Sequence, residues 1–216
     1  MHNAADESPR RSPLRIVLLC VFLVIFAISC INPDHPRDFI LEHTFTAAGL
    51  MALFFIDRQA PLSNWSYGLL FIFFSLHVVG AHYTYSHVPY DQWSRAVTGT
   101  SISEMMHWER NHYDRLVHLA AGLLCMRPIR ELAERWTRVS FHAACFIAIA
   151  TLALFSMTYE LIEWVFAMTM SEENAEIYNG QQGDVFDAQK DMALALLGSI
   201  ASYVAQAVML RSSRTL

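Results

Sequence analysis

Charge is scarce in this chain, and lysine is almost missing. Charged residues make up 16% of the 216 positions against 54% hydrophobic ones, where a soluble domain carries about a quarter charged residues. That shortage speaks against an ordinary soluble domain and for a chain that crosses a membrane several times. Lys190 is the single lysine. No basic patch interleaved with aromatics is present, so the usual footprint of nucleic-acid binding is absent. The four cysteines, Cys20, Cys30, Cys125 and Cys145, lie in or beside apolar runs with no pair spacing. They read as small buried hydrophobes rather than a disulfide or zinc framework. No internal repeat and no low-complexity stretch breaks the pattern.

What the chain does have is long apolar runs. A polar N-terminal tail, residues 1–13, carries Arg10 and Arg11 and leads through Arg15 into the run Ile16 to Ile31. A basic flank before an apolar core also suits a signal peptide, but the runs that follow favour an uncleaved first span. The second run covers Asp38 to Ile56 and the third Trp65 to His82. A fourth ends at Arg127, a fifth spans Ser140 to Met170, and the sixth runs from Met192 to Leu210. About 20 apolar residues cross a bilayer as a helix. The expected fold is therefore all-α: a polytopic membrane helix bundle of about six transmembrane helices over residues 14–211, followed by a short tail at 212–216. The aromatic connection at 83–112 suits an outer interfacial segment. The arginines cluster at the N-terminus, after the second run, in a basic loop from Arg127 to Arg138 containing Pro128, and at the C-terminus. The positive-inside rule then puts both termini in the cytoplasm.

The fourth run is unusual. Only the short stretch between His118 and Arg127 is fully apolar. Counting back about 20 residues from Arg127 puts His118, Arg115, Asp114 and His112 at membrane depth. Such groups are tolerable there only if they face other helices or a wet cavity. In the expected topology the same outer half also receives Glu42, His43, His77, His82, Glu160 and Glu163. It receives the acidic face Asp184, Asp187 and Asp191 as well, spaced three and four apart at the mouth of the sixth run. One outward-facing polar cavity is the simplest arrangement.

Each signal has two readings. Asp114 and His118 are four apart, which suits two ligands on one metal or a structural hydrogen bond. Asp184 could be an N-cap with Asp187 inside the first turn and Lys190 paired to Asp187. Glu160 and Glu163 could lie at the interface, with Trp164 as an aromatic-belt anchor, and His82, Tyr83 and Tyr85 could anchor at the headgroups. His77 reads as a satisfied interhelical histidine.

Four blocks carry a resemblance: His82 to Tyr85, Asn111 to His118, Tyr159 to Trp164, and Gly183 to Met192. Together they resemble the YjdF-like family, bacterial inner-membrane proteins built around a domain of unknown function. The resemblance implies a multi-span protein of the bacterial inner membrane and brings no reaction with it. A narrower similarity, through Glu160, Glu163, Asp187 and Asp191, is to VanZ-like proteins and hints at envelope or glycopeptide-related roles.

Three functions fit these residues. One is a metal-assisted hydrolase or transferase acting on a lipid-linked or envelope substrate. Asp114, His118, Asp187 and Asp191 would hold a divalent cation, Glu160 or Glu163 would act as general base, and Arg115 would clamp an anionic group. His112, Asp184, Lys190 and His82 form a second tier of site candidates. The others are an accessory protein in which the cluster is a structural polar core or a docking site for another membrane protein, and a small-solute or ion carrier. Membrane lipids are partners in all three.

Overall fold

The computed structural model describes residues 12–212; the expected tails at 1–13 and 212–216 fall almost wholly outside them. The described residues form nine helices and no strand: α1 (Pro13–Ser29), α2 (Pro36–Gln59), α3 (Asn64–His82), α4 (Tyr90–Thr98), α5 (Ile102–Met106), α6 (Tyr113–Thr137), α7 (Phe141–Ala167), α8 (Glu172–Asn179) and α9 (Asp187–Ser212). The fold is all-α, as the apolar runs imply. Four helices, α2, α3, α7 and α9, are long and apolar enough to cross a membrane, and α1 is a shorter apolar helix of 17 residues. Apolar side chains such as Phe54, Phe146, Leu154 and Val208 are exposed on these helices. Exposed apolar surface on that scale belongs against lipid.

Local signals set the helix ends. Pro13 and Pro36 open α1 and α2, where a missing N–H costs nothing. Ser63, Ser101, Ser140 and Ser171 each accept a backbone N–H of the first turn of the helix that follows, the usual serine N-cap. Gly99 and Gly180 end α4 and α8 in the left-handed region, which glycine enters without strain.

Two boundaries differ from the expectation. α7 stops at Ala167 rather than Met170. The basic loop from Arg127 to Arg138 is instead helix: α6 continues through Pro128 to Thr137, and Arg138 terminates it at φ 54°. An internal proline costs a helix roughly 3 kcal/mol, and here side chains offset it. Arg127 Nε bonds Glu131 Oε1 (3.1 Å) and Arg130 Nη1 bonds Glu134 Oε2 (2.5 Å), both one turn apart. Glu131 also accepts Ser63 N (3.0 Å) and Ser63 Oγ (2.7 Å), which ties the turn after Pro128 to the start of α3.

Contacts at the helix ends give the directions. Arg15 at the start of α1 donates to Leu62 O beside the start of α3, and His82 at the end of α3 bonds Ser29 O at the end of α1, so these two run parallel. α6 runs against α3, since Tyr113 Oη reaches Leu76 O at one end and Ser63 meets Glu131 at the other. α6 and α9 run parallel, with Arg115 on Asp187 near their starts and Arg130 Nε on Gln206 Oε1 (2.8 Å) near their ends.

At the α6–α9 crossing the two backbones touch. A Cβ added to Gly122 would sit 2.0 Å from Ala195 O, and one on Gly198 2.3 Å from Leu119 O. Small residues let membrane helices approach backbone to backbone. Asp114 and His118 lie two turns and one turn above Gly122 on one face of α6, and Asp187 and Asp191 two turns and one turn above Ala195 on α9. The glycine contact therefore brings the two polar faces together. Toward the opposite end, Cys125, Met126, Cys145, Ala148 and Leu152 fill the centre as an apolar layer.

Candidate functional site

At the end of the bundle where α6 and α9 begin, Asp114, His118 and Asp191 each offer one ligand atom, and these atoms lie within 4.8 Å of one another. His118 Nε2 is 3.6 Å from Asp114 Oδ1 and 3.2 Å from Glu160 Oε1 of α7. Three carboxylates thus converge on one imidazole. Asp191 is only 2% exposed, yet its Oδ1 accepts no hydrogen bond; neither does the buried Glu160 Oε1. A bare buried oxygen such as Asp191 Oδ1 is uncommon, whereas Glu160 Oε1 has the His118 nitrogen beside it. A polar cavity of about 290 Å³ adjoins the cluster, lined by Asp114, Glu160, Glu163, Asn179, Asp187 and Asp191 among others.

The nearby arginines are committed elsewhere. Arg110 grips Asp187 with both nitrogens, Nη1 to Oδ1 at 2.6 Å and Nη2 to Oδ2 at 3.0 Å, and also donates to Gly180 O and Gln181 O. Arg115 Nη2 bonds Asp184 Oδ2 (2.5 Å) and Asp187 Oδ1 (2.9 Å), while its Nε is buried without an acceptor. Asp187 is therefore neutralised by two guanidinium groups and stands apart from the Asp114–His118–Asp191 group. The remaining carboxylates of the cluster receive no such cation.

Several expectations change at this point. Lys190 pairs with Asp184 (Nζ to Oδ2, 2.5 Å), not with Asp187. The lysine, helped by Phe186 N and Arg115, pulls the Asp184 carboxyl down to about 2. Asp184 is no N-cap: α9 starts three residues later, and the Asp184 side chain accepts Phe186 N in a turn before it. His112 stacks its ring on Trp108 (4.3 Å), and its pKa is lowered by burial and by Arg115. His82 is spent on Ser29 O (2.8 Å), away from the cluster.

Tyr85 is not a headgroup anchor. It is buried, and its hydroxyl lies 2.5 Å from His77 Nδ1. His77 Nε2 faces Glu42 O at 3.3 Å, so the carbonyl takes the Nε2 proton and Nδ1 accepts from Tyr85. Both nitrogens are thereby partnered, in keeping with an interhelical histidine. The turn that brings Tyr85 back uses two left-handed residues, Thr84 and Tyr85, and a Cβ at Gly80 would overlap the Tyr85 ring at 2.5 Å. Glu42 itself is 3% exposed and accepts Tyr159 Oη (2.9 Å).

A family model described as "Predicted membrane protein (DUF2238)" matches residues 14–212. The chain belongs to this family. It is also similar to "Inner membrane protein YjdF" of Escherichia coli (strain K12), with 33% identity over 196 residues, 89% of this chain and 86% of that protein. No solved structure matches. The resemblance to the YjdF-like family is thus borne out, and the protein is a multi-pass membrane protein. In this DUF2238 chain the four resembling blocks meet at one end of the bundle. They supply Tyr85, then Asp114, Arg115 and His118, then Tyr159, Glu160 and Glu163, and finally Asp184, Asp187, Lys190 and Asp191. Arg110, just ahead of the second block, escaped the sequence reading. Its signal is an arginine on the arginine-poor side, next to an acidic helix start. Asn179 and Gln181, which line the polar cavity, gave no signal of their own.

Proposed function

We propose that the Asp114–His118–Asp191 cluster holds a divalent cation and that the protein is a cation-assisted hydrolase or transferase acting on a lipid-linked or envelope substrate. The observation that carries this reading is the buried, unpartnered Asp191 Oδ1 in a group whose ligand atoms lie within 4.8 Å. Ligands on one zinc-like ion, at bonds of about 2.0–2.2 Å in tetrahedral geometry, lie about 3.3–3.6 Å apart. The most widely separated ligand atoms must therefore approach by about an ångström, which side-chain rotation supplies. An imidazole with two carboxylates suits zinc or manganese better than magnesium. Three protein ligands with an open position facing a cavity is also the pattern of catalytic rather than structural zinc sites.

A cation held by Asp114, His118 and Asp191 would supply a Lewis acid for a phosphoryl or acyl oxygen or for water. Glu160, 3.2 Å from His118 Nε2, is the general base, and Glu163 lines the same cavity as its reserve. Arg115 offers its unpartnered Nε to an anionic group. Asp187 holds the two arginines in position instead of the metal. The arginine-rich end faces the cytoplasm by the positive-inside rule, the site faces outward, and α1 and α6 complete six spans. Similarity to an inner membrane protein of Escherichia coli supports an inner-membrane location. The layer of Cys125, Met126, Cys145, Ala148 and Leu152 is apolar; it weighs against an ion carrier, because it offers an ion no charged group on the way from the site to the other end.

The test is metal content of detergent-purified protein by mass spectrometry for wild type, Asp191→Ala, His118→Ala and Asp187→Asn. Near-stoichiometric metal in wild type and Asp187→Asn, lost in the other two, is the expected result. A folded wild type that takes up no zinc or manganese on supplementation overturns the reading.

A further inference from the structure

Asp114 and His118 also line a second, larger cavity. Its volume is about 340 Å³, roughly twice the ~150 Å³ apolar cavity that stays dry and binds benzene. Its walls come from five helices and are mainly apolar, with Phe45, Phe73, Val117, Cys125 and Leu152 among them. From His118 down to Ile129 the α6 wall is about 16 Å long at 1.5 Å per residue. That is half the roughly 30 Å hydrocarbon core of a bilayer, the depth of one leaflet's acyl chain.

The cavity also reaches the lipid-facing surface. Near the end that carries the cluster, α2 and α7 are bridged by Tyr159 on Glu42 and by the Phe45–Tyr159 ring contact at 5.1 Å. One turn along α7, Phe155 lines the cavity and is nevertheless 64% exposed. Phe155 thus borders both the cavity and the exposed apolar surface. Ser156, also on the wall, has a buried Oγ with no partner, one turn from Glu160. It is an uncommitted hydroxyl donor on a wall that is mainly apolar.

We propose that this cavity is an acyl-chain site: one chain of a membrane phospholipid enters between α2 and α7 past Phe155 and lies along α6. The ester carbonyl meets Ser156 Oγ, and the polar end reaches the Asp114–His118–Asp191 cluster. Only the chemistry at the polar end rests on the cation reading above. An apolar wall continuous with the cluster at Asp114 and His118 is what a substrate with a head and a tail requires, and burying the tail holds the head against the reacting groups.

The test is photolabelling in nanodiscs with a phosphatidylglycerol carrying a diazirine in its acyl tail, followed by peptide mapping. Labels are expected on the buried wall residues Val117, Leu152 and Ser156, in addition to lipid-facing Phe146 and Leu154. Leu152→Trp and Ser156→Phe should remove the buried labels and keep those on Phe146 and Leu154, which also reports an intact fold. Labels confined to lipid-facing positions in wild type overturn the proposal. Loss of the buried labels on adding a polyprenyl phosphate, but not on adding excess unlabelled phospholipid, overturns the acyl assignment in favour of a prenyl chain. Metal content on the same samples separates the two readings: buried labels without metal sink the cation site alone, and metal without buried labels sinks the acyl site alone.

Discussion

Arg110 and Asp187 form a two-pronged pair, at 2.6 and 3.0 Å, between the connection before α6 and the first residue of α9. The aspartate is almost wholly buried and the arginine nearly so. Removing one member of a buried pair costs about 3–5 kcal/mol because the other charge is left without compensation. Arg115 still reaches Asp187, so Arg110→Ala should lose about 2–3 kcal/mol, at or just below that range. Arg110→Lys should recover only part, since an ammonium cannot make the fork. Chemical unfolding in detergent, with Arg110→Ala, Asp187→Asn and the double variant as a cycle, measures the coupling. A loss below about 0.5 kcal/mol, typical of surface changes, would mean that the pair does not hold the two segments.

The Gly122–Gly198 crossing fixes how closely the polar faces of α6 and α9 approach. At both positions the atoms an added methyl would meet are backbone, at 2.0 and 2.3 Å, and cannot rotate away. Overpacking a core typically costs about 1–3 kcal/mol, and Gly122→Ala and Gly198→Ala should reach the top of that range. Gly68→Ala is the control, since nothing lies within 4 Å of a Cβ there; it should gain up to about 1 kcal/mol from helix propensity. Thermal unfolding would order the three. If Gly122→Ala matched Gly68→Ala, the close crossing would not be the determinant of the site.

Much of this was legible because helical spacing is a local property. Asp114 and His118, Glu160 and Glu163, and Asp187 and Asp191 each fall three or four apart, so each pair shares a helix face wherever the helix sits. Which pair meets which depends on the register between helices, and that is set by glycine contacts far apart in sequence. Asp187 illustrates the limit. It shares a face with Asp191, yet a loop arginine captures it and leaves Lys190 to Asp184. Pro128 misled for a different reason: a proline penalty of a few kcal/mol is local, whereas the ion pairs and the Ser63–Glu131 contact that offset it draw on another helix. Tyr85 misled because an aromatic after a span reads as an interface anchor until its backbone is seen to turn inward.

Asp184 gives the assembly an acid limit. Lys190 first, with Phe186 N and Arg115, lowers its carboxyl from the ordinary 3.8 to about 2. A carboxyl lowered on folding contributes stability that is complete above its unfolded value and disappears as pH falls through its folded one. The contribution should therefore be whole at pH 5 and fade between about 3.8 and 2. Thermal midpoints from pH 6 to pH 2 should drop more steeply across that window in wild type than in Asp184→Asn. Parallel profiles would show that the Lys190 contact is not retained in solution.

Glu160 is the residue whose role the geometry divides most finely, because its Oε1 lies 3.2 Å from the same His118 nitrogen that faces Asp114. A general base and a fourth ligand would both stand there. Glutamine keeps the volume and one carbonyl oxygen but cannot act as a base, so Glu160→Gln separates the two roles. Loss of an outer-shell partner weakens metal binding by about 10–100-fold. As a base, Glu160 should stay within that range on substitution, while Asp191→Asn, which removes a ligand charge, should exceed it. Titration of the metal-stripped protein with zinc, followed by calorimetry in detergent, reads both affinities. Equal losses would make Glu160 a ligand and move the base to Glu163, which lines the same polar cavity.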